Sequence, residues 1–258
     1  DFSADYFDCA LTMDERLAVL ALFQQRIGKR LPAAYITHEA WFAGLAFYVD
    51  ERVLIPRSPI AELIQVQFEP WLDPASVHRV LDLCTGSGCI AIACAYAFEA
   101  AAIVASDYSA DALAVAAKNR EAHGLESRLQ LIESDLFESV PPARFDLIVS
   151  NPPYVSLPEM QQLAAEFDHE PGLALAAGND GMDLVIPMLQ QARQYLSDQG
   201  VLVVEVGYSK PALEALLPQV PFYWLDFEYG GDGVFLLTAE QLDQCQPMFD
   251  QLLSQRKV

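Results

Sequence analysis

Residues 79 to 93 are Arg79-Val80-Leu81-Asp82-Leu83-Cys84-Thr85-Gly86-Ser87-Gly88-Cys89-Ile90-Ala91-Ile92-Ala93. An apolar run breaks into a glycine turn and resumes with helical character, which predicts a strand, a tight loop and a helix. Glycine lets backbone N–H groups approach a ligand closely, and the helix that follows adds unpaired donors at its N-terminus. The sequence therefore predicts a nucleotide-like ligand at this loop.

The loop alone leaves more than one class of protein open. Gly86-x-Gly88-x-x-Ala91 fits the dinucleotide-binding fingerprint, and Asp107 follows about 20 residues later, at the end of a second apolar run. A nicotinamide-dependent dehydrogenase is therefore consistent with the loop, as is another nucleotide-binding enzyme. A structural glycine turn in some other α/β protein would have the same pattern.

Seven short apolar runs predict a seven-stranded sheet. They occupy residues 80–83, 103–106, 129–132, 145–150, 201–206, 222–227 and 234–238. Continuous apolar runs separated by helical patterns are typical of parallel strands buried on both faces, so the first five should be parallel with right-handed crossovers. The segment between the last two runs is too short for a crossover helix, so the last strand should be antiparallel to its neighbour.

A smaller element is predicted ahead of the glycine loop. Thr12-Met13-Asp14-Glu15 forms the pattern of a capping box, and apolar residues then recur at helical spacing until Gly28. Residues 41–49 predict a β-hairpin around Gly44, and a helix should follow over residues 60–68. We therefore divide the chain into an N-terminal helix and hairpin unit, residues 1–70, and a main α/β domain, residues 71–258.

Composition and charge limit the possible functions. No apolar run reaches the roughly 18 residues that a membrane span needs, and no secretion signal is present, so we expect a cytoplasmic protein without a membrane partner. Five cysteines without a C-x-x-C pair and four histidines without metal spacing indicate reduced, mostly buried thiols and no metal site. The net charge of −21 opposes stable binding to nucleic acid and favours a basic partner.

Polar residues lie at four predicted strand ends, where ligands of open α/β sheets bind. These are Asp82 with its glycine loop, Asp107, Ser134-Asp135 and Asn151-Pro152-Pro153-Tyr154. Asp107 can accept hydrogen bonds from both hydroxyls of a ribose, and Asp135 can accept one from an adenine amine. Each acid can instead cap a helix. Tyr108, Leu136 and Phe137 can enclose a purine.

The turn Asn151-Pro152-Pro153-Tyr154 is the most specific of these features. Two prolines stiffen it, and Pro152 has no N–H, so the carbonyl groups and the Asn151 side-chain oxygen are fixed as acceptors beside an aromatic ring. This arrangement is a cradle for a planar NH₂ group, for which a dehydrogenase has no use. The turn therefore favours an enzyme that acts on a planar nitrogen.

Together, Asp82-x-x-Thr85-Gly86-Ser87-Gly88, Asp107, Asp135 and this turn resemble the motifs of S-adenosylmethionine-dependent methyltransferases that modify adenine's amine or a glutamine amide. Four further stretches resemble the protein-glutamine methyltransferases, namely Trp41-Phe42-x-Gly44, residues 47–59, His169-Glu170-Pro171 and residues 230–235. The resemblance covers nearly the whole chain from about Leu31. It is strongest to the branch acting on large-subunit ribosomal protein L-three, because the release-factor branch would carry Pro-Asp-Thr where Ser58-Pro59-Ile60 stands.

The resemblance implies a Rossmann-like class I methyltransferase fold, with residues 71–258 as the S-adenosylmethionine-dependent domain and residues 1–70 on the substrate side. That family has a longer N-terminal helical domain, and the chain begins at Asp1 without Met, so we expect the N-terminal unit to be truncated. The implied cofactor-binding residues are Asp82, Thr85, Gly86, Ser87, Gly88, Asp107, Tyr108, Asp135, Leu136 and Asn151. Some relatives carry an aromatic residue where Leu136 stands, so an apolar contact to adenine is expected there.

The implied reaction transfers a methyl group from S-adenosylmethionine to a glutamine side-chain amide of L-three. The substrate-binding residues are Asn151, Pro152, Pro153, Tyr154 and Arg57, of which Asn151, Pro152 and Tyr154 are assigned to catalysis. An amide nitrogen is a poor nucleophile because its lone pair is delocalised. We expect the Asn151 side-chain oxygen and the Pro152 carbonyl to accept the two amide protons and orient the nitrogen, with Tyr154 holding the amide plane.

Four alternatives remain open at this point. The chain can be a glutamine methyltransferase of peptide release factors or an adenine-amine methyltransferase of nucleic acid, since the same tetrapeptide serves there with a flipped base. It can also be a dinucleotide-dependent dehydrogenase. The last alternative is a non-catalytic module that binds a basic ribosomal protein.

Overall fold

The computed structural model describes residues 9–256, so the first eight residues of the predicted N-terminal unit lie outside the described part. The helices are α1 (Met13–Lys29), α2 (Ala33–Thr37), α3 (Ile60–Gln65), α4 (Cys89–Ala97), α5 (Ala110–Ala122), α6 (Leu157–Met160), α7 (Val185–Ala192), α8 (Lys210–Leu216) and α9 (Ala239–Arg256). The strands are β1 (Ala40–Phe42), β2 (Leu45–Phe47), β3 (Arg79–Leu83), β4 (Ala102–Asp107), β5 (Leu129–Glu133), β6 (Phe145–Ser150), β7 (Leu196–Glu205), β8 (Tyr223–Trp224) and β9 (Val234–Thr238). No helix within residues 9–256 is long and apolar enough to span a bilayer.

Seven strands form the main sheet of the described chain, in the order β5-β4-β3-β6-β7-β9-β8. The strands β3 to β7 pair in parallel, and β9 is antiparallel to both β7 and β8. The predicted seven strands and the reversed last strand are therefore confirmed. The strand order changes direction at β3, which lies between β4 and β6, so a crevice opens at the carboxyl ends of these strands.

Both faces of this sheet are covered by apolar side chains, which is why its strands are continuous apolar runs. On one face, Val80, Leu147 and Val203 pack with residues of α3 and α4. On the other, Leu81, Ile148, Leu202 and Val204 pack with residues of α7 and α9. The buried thiols of Cys89, Cys94 and Cys245 lie in these clusters, as predicted.

The predicted N-terminal elements are present, with one difference in length. Thr12 and Glu15 form the capping box that begins α1, and β1 and β2 form the antiparallel hairpin. The helix α3 ends at Gln65 rather than at residue 68, because Gln67 and Phe68 have positive φ angles of 53° and 59°. An α-helix cannot continue through left-handed residues.

The hairpin and α3 pack against the main sheet. Phe42, Phe47 and Ile64 belong to the same apolar cluster as α4. The buried side chain of Asn119 in α5 binds the chain just after the hairpin: its Oδ1 accepts from Tyr48 N (2.8 Å), and its Nδ2 donates to Tyr48 O (3.0 Å) and Ser87 O (2.8 Å). Asn119 thereby joins the N-terminal segment to the glycine loop. The division at residue 70 stays a prediction.

Candidate active site

A cavity of about 280 Å³ lies at the carboxyl ends of β3, β4, β5 and β6. Its lining combines ten residues predicted from the sequence, namely Arg57, Thr85, Gly86, Ser87, Asp107, Tyr108, Asp135, Leu136, Asn151 and Pro153. Residues of the segments 52–58 and 171–174 also contribute to the lining. Four other predicted residues, Asp82, Gly88, Pro152 and Tyr154, are not among the lining residues.

Asp82 lies beneath the glycine loop and is fully buried. Its Oδ2 accepts hydrogen bonds from Thr85 Oγ1 (2.5 Å) and from Ala91 N (3.1 Å) in the first turn of α4. Its Oδ1 has no partner among the described residues. Burial raises the pKa of this carboxyl to about 7. Asp82 therefore orders the loop from behind, which differs from the predicted direct contact with a cofactor.

Gly88 also acts from behind the lining, as the N-cap of α4 with a φ of 81°. A Cβ atom at this position would lie 3.3 Å from Ala116 Cβ in α5. The glycine therefore permits close packing of α4 against α5 in a backbone conformation that other residues rarely adopt.

Asp107 lies at the end of β4, beside the glycine loop, and lines the cavity. Its Oδ2 accepts from Gly86 N (2.8 Å), and its Oδ1 accepts from Ser109 N (2.9 Å). The N-cap of α5 is Ser109, so Asp107 is not that cap. Burial raises the pKa of Asp107, and the backbone donors oppose this rise. Each carboxylate oxygen has two lone pairs, so each can still accept a hydrogen bond from a ligand in the cavity.

The segment after β5 supplies an apolar wall. Leu136 is buried, and its φ of 46° is unusual for a residue other than glycine. A hydrogen bond from Ser134 Oγ to the Leu136 carbonyl (2.9 Å) holds this conformation. Tyr108 and Asp135 line the cavity and are exposed. The predicted contribution of Phe137 is wrong, because this ring is buried and stacks on Tyr195 at 4.6 Å between centroids.

The Asn151 to Tyr154 turn has two sides. Asn151 and Pro153 line the cavity, whereas Tyr154 is not among the lining residues and donates from Oη to Glu205 Oε1 (2.8 Å). The Tyr154 ring lies against Gly207, where a Cβ atom would be 2.7 Å from the ring. The Tyr154 hydroxyl is thus bound by a buried carboxylate, and the role of its ring in holding the amide plane stays a prediction.

Two acidic residues at the site were not predicted as functional. Glu170 binds Arg57 with both oxygens, at 2.7 Å to Nη1 and 3.1 Å to Nη2, and also accepts from Ile55 N (3.1 Å). The Arg57 guanidinium also lies 4.8 Å from the centre of the Phe167 ring. Glu205 ends the apolar strand β7. A polar residue at the end of an apolar strand is the sequence signal by which Glu205 can be found.

The arrangement defines a class of protein. A mostly parallel seven-stranded sheet with a reversed last strand, and a cavity beside the glycine loop after β3, are the features of a class I methyltransferase. The family model described as "Methyltransferase small domain" matches residues 68–179. Within residues 9–256, no group of three or more His, Cys, Asp or Glu side chains could hold a metal ion.

Solved structures share the fold at low sequence identity. The T. thermophilus 16S rRNA N2 methyltransferase RsmC, in complex with AdoMet and guanosine, gives a TM-score of 0.52 at 22% identity, over 78% of this chain and 49% of that one. The hMettl16 catalytic domain, in complex with MAT2A 3'UTR hairpin 6, gives 0.58 at 16% identity, over 87% of this chain and 81% of that one. At these identities the likeness shows the fold alone.

Two curated relatives are far more similar. The ribosomal protein uL3 glutamine methyltransferase of Francisella tularensis is 48% identical over 250 residues, covering 96% of this chain and 80% of the relative. The protein of the same description from Bordetella pertussis is 50% identical over 239 residues, covering 92% and 80%. The chain belongs to the family of ribosomal protein uL3 glutamine methyltransferases. The predicted fold class and family resemblance are thus confirmed.

Asp82 should make stability depend on pH. Its folded-state pKa of about 7 exceeds the value near 4 of an unfolded chain, so the stability it contributes is fully present below about pH 4 and is lost as the pH rises to about 7. Asp82→Asn removes this titration. The free energy of unfolding of the variant should therefore fall less steeply in this window, by up to about 1.4 kcal/mol per pH unit.

Urea unfolding at several pH values checks this expectation. Glu126→Gln is the matched control, because the Glu126 side chain is exposed, and it should keep the wild-type slope. Parallel pH profiles for the wild type and Asp82→Asn would contradict the assignment of a proton to Asp82.

Proposed function

We propose that this protein transfers a methyl group from S-adenosylmethionine to the side-chain amide nitrogen of a glutamine in ribosomal protein uL3. The observation that carries the proposal is that the glycine loop with Asp107 and the turn beginning at Asn151 line one cavity. The proposed cofactor site and the proposed acceptor site for a planar amide are then adjacent. The family membership supports the same reaction.

The cofactor end of the cavity has the donors and acceptors that S-adenosylmethionine requires. Asp107 is proposed to accept hydrogen bonds from the ribose hydroxyls, beside the backbone of Gly86 and Ser87. Asp135 is proposed to bind the adenine amine, and Leu136 to contact the ring. When bound, the cofactor supplies an electrophilic methyl group on a positively charged sulfur. Asp82 and Gly88 act indirectly, by fixing the loop.

The amide end is formed by the turn after β6. The Asn151 side-chain oxygen and the Pro152 carbonyl are proposed to accept the two amide protons, which orients the nitrogen and favours the positive charge that it develops. Tyr154 supports this geometry from behind, since its hydroxyl is bound to Glu205. The surplus proton leaves to water, and no side-chain nucleophile is needed.

The N-terminal unit is proposed to form the substrate side. Arg52, Pro56, Arg57 and Ser58 line the cavity, and the pairing of Arg57 with Glu170 fixes this wall. The net charge of −21 suits a basic ribosomal protein and opposes stable nucleic-acid binding. We place the reaction in the cytoplasm, where this substrate is made.

The substrate assignment is tested by mass spectrometry of labelled-methyl transfer to purified uL3. We expect one methyl group on one glutamine, and none after that glutamine is replaced by glutamate, because no amide nitrogen remains. Methylation of a release factor with uL3 left unmodified would assign the chain to the sister branch. Methyl transfer to adenine in nucleic acid would refute the glutamine assignment.

Asn151→Ala tests the division between cofactor and amide binding. We expect the variant to keep most of its affinity for S-adenosylmethionine, while turnover falls by about 10²-fold or more, because a positioned acceptor is lost. Calorimetry and initial rates measure the two effects separately. The exposed Asn179→Ala is the control and should change neither. Loss of cofactor affinity with turnover preserved at saturation would reverse the assignment.

A further inference from the structure

A buried carboxylate at the carboxyl end of β7 joins two walls of the cavity. Only 5% of the Glu205 surface is exposed, and each of its side-chain oxygens accepts one hydroxyl. Ser58 Oγ donates to Oε2 at 2.5 Å, and Tyr154 Oη donates to Oε1 at 2.8 Å. Ser58 lines the cavity on the N-terminal side, and Tyr154 ends the turn that carries Asn151.

The two hydroxyl groups have little freedom to bind elsewhere. Ser58 Oγ already accepts from Ile60 N (3.2 Å), so its hydrogen remains for Glu205. Tyr154 is also held at its carbonyl, which accepts from Ser209 Oγ (2.7 Å). The segment after β7 therefore fixes Tyr154 at both its main chain and its hydroxyl. Gly207, in the same segment, contacts the ring.

We propose that Glu205, in its carboxylate form, is a positioning residue for methyl transfer, setting the place of the Asn151 turn relative to the Ser58 wall. This inference rests on the proposed function. The ionised group accepts one hydroxyl at each oxygen, whereas a protonated carboxyl places an O–H donor against one of the two hydroxyls, which must then reverse its hydrogen bond. Protonation would therefore loosen one wall against the other.

Burial and the groups around Glu205 set the pKa of its carboxyl group. Burial raises its pKa, and the hydrogen bonds from Ser58 and Tyr154, with the positive charge of Arg57, oppose this rise. Tyr208, in the segment after β7, lies near Tyr154. On the neighbouring strand β9, the residue paired with Glu205 is the apolar Val234. As the pH falls through the raised pKa, kcat should fall.

The test compares Glu205→Gln, Tyr154→Phe and the control Glu214→Gln, which changes an exposed glutamate on α8. For Glu205→Gln we expect kcat to fall about tenfold or more, with the KM for the cofactor within about twofold of wild type. The acidic limb expected for the wild-type kcat should be absent. Asp82 and Asp107 lie at the glycine loop, so their protonation should instead appear in the KM for the cofactor.

Tyr154→Phe removes one hydroxyl without removing the carboxylate, so it tests the same link if Glu205→Gln fails to fold. Its kcat should also fall, while Glu214→Gln keeps the wild-type kcat and pH profile. Wild-type kcat and an unchanged acidic limb in Glu205→Gln, or in Tyr154→Phe if the former does not fold, would overturn the inference.

A readout without substrate separates this inference from the proposed function. Crystal structures of the wild type and Glu205→Gln should show the Asn151 turn displaced from the Ser58 wall by about 0.5 Å or more, the tolerance within which catalytic groups must be held. Superimposable walls would overturn the inference. Failure of the wild type to methylate uL3 would overturn the proposed function and leave this structural comparison valid.

Discussion

Buried carboxylates at the carboxyl ends of parallel strands hold the cavity in shape. A polar or charged group removed from water costs free energy unless it is hydrogen-bonded, so each buried carboxyl group requires hydrogen-bond partners in fixed places. Asp82 at the end of β3 takes them from Thr85 and Ala91, Asp107 at the end of β4 from Gly86 and Ser109, and Glu205 at the end of β7 from Ser58 and Tyr154. The loops that line the cavity are therefore fixed from beneath.

This constraint separates the residues that line the cavity from the buried residues that support them. Asp107 and Asn151 face the cavity and can bind ligands, whereas Asp82 and Glu205 bind only protein groups. Glu170 adds a similar support at the rim by holding Arg57 with two hydrogen bonds. Rigid support of this kind favours catalysis, because a poor nucleophile such as an amide gains most from being held in line.

The sequence predicted the sheet and the cavity well, because both depend on local patterns. Strands buried on both faces are continuous apolar runs, and parallel strands bring their polar ends together, so Asp107, Asp135 and Asn151 were expected to converge. The orientation of single side chains was not predictable in this way. Tyr154 donates to Glu205, which lies 51 residues further along the chain, and local patterns do not predict a contact of this kind.

Other differences have equally specific causes. Phe137 packs against Tyr195 instead of a ligand, and this contact joins segments whose distance in space the sequence does not give. The early end of α3 depends on the left-handed conformation of Gln67 and Phe68, which are not typical left-handed residues. Local propensity was thus sufficient for strands and loops, and insufficient where a distant partner decides the conformation.

The central claim is that one cavity holds the cofactor at Asp107 and the acceptor amide at Asn151. A crystal structure of the protein with S-adenosylhomocysteine and a glutamine-containing uL3 peptide measures this most directly. We expect the ribose hydroxyls at hydrogen-bonding distance from the Asp107 carboxylate and the glutamine amide nitrogen about 3 Å from Asn151 Oδ1. A complex with the amide nitrogen bound away from Asn151, or with the ribose away from Asp107, would contradict the account.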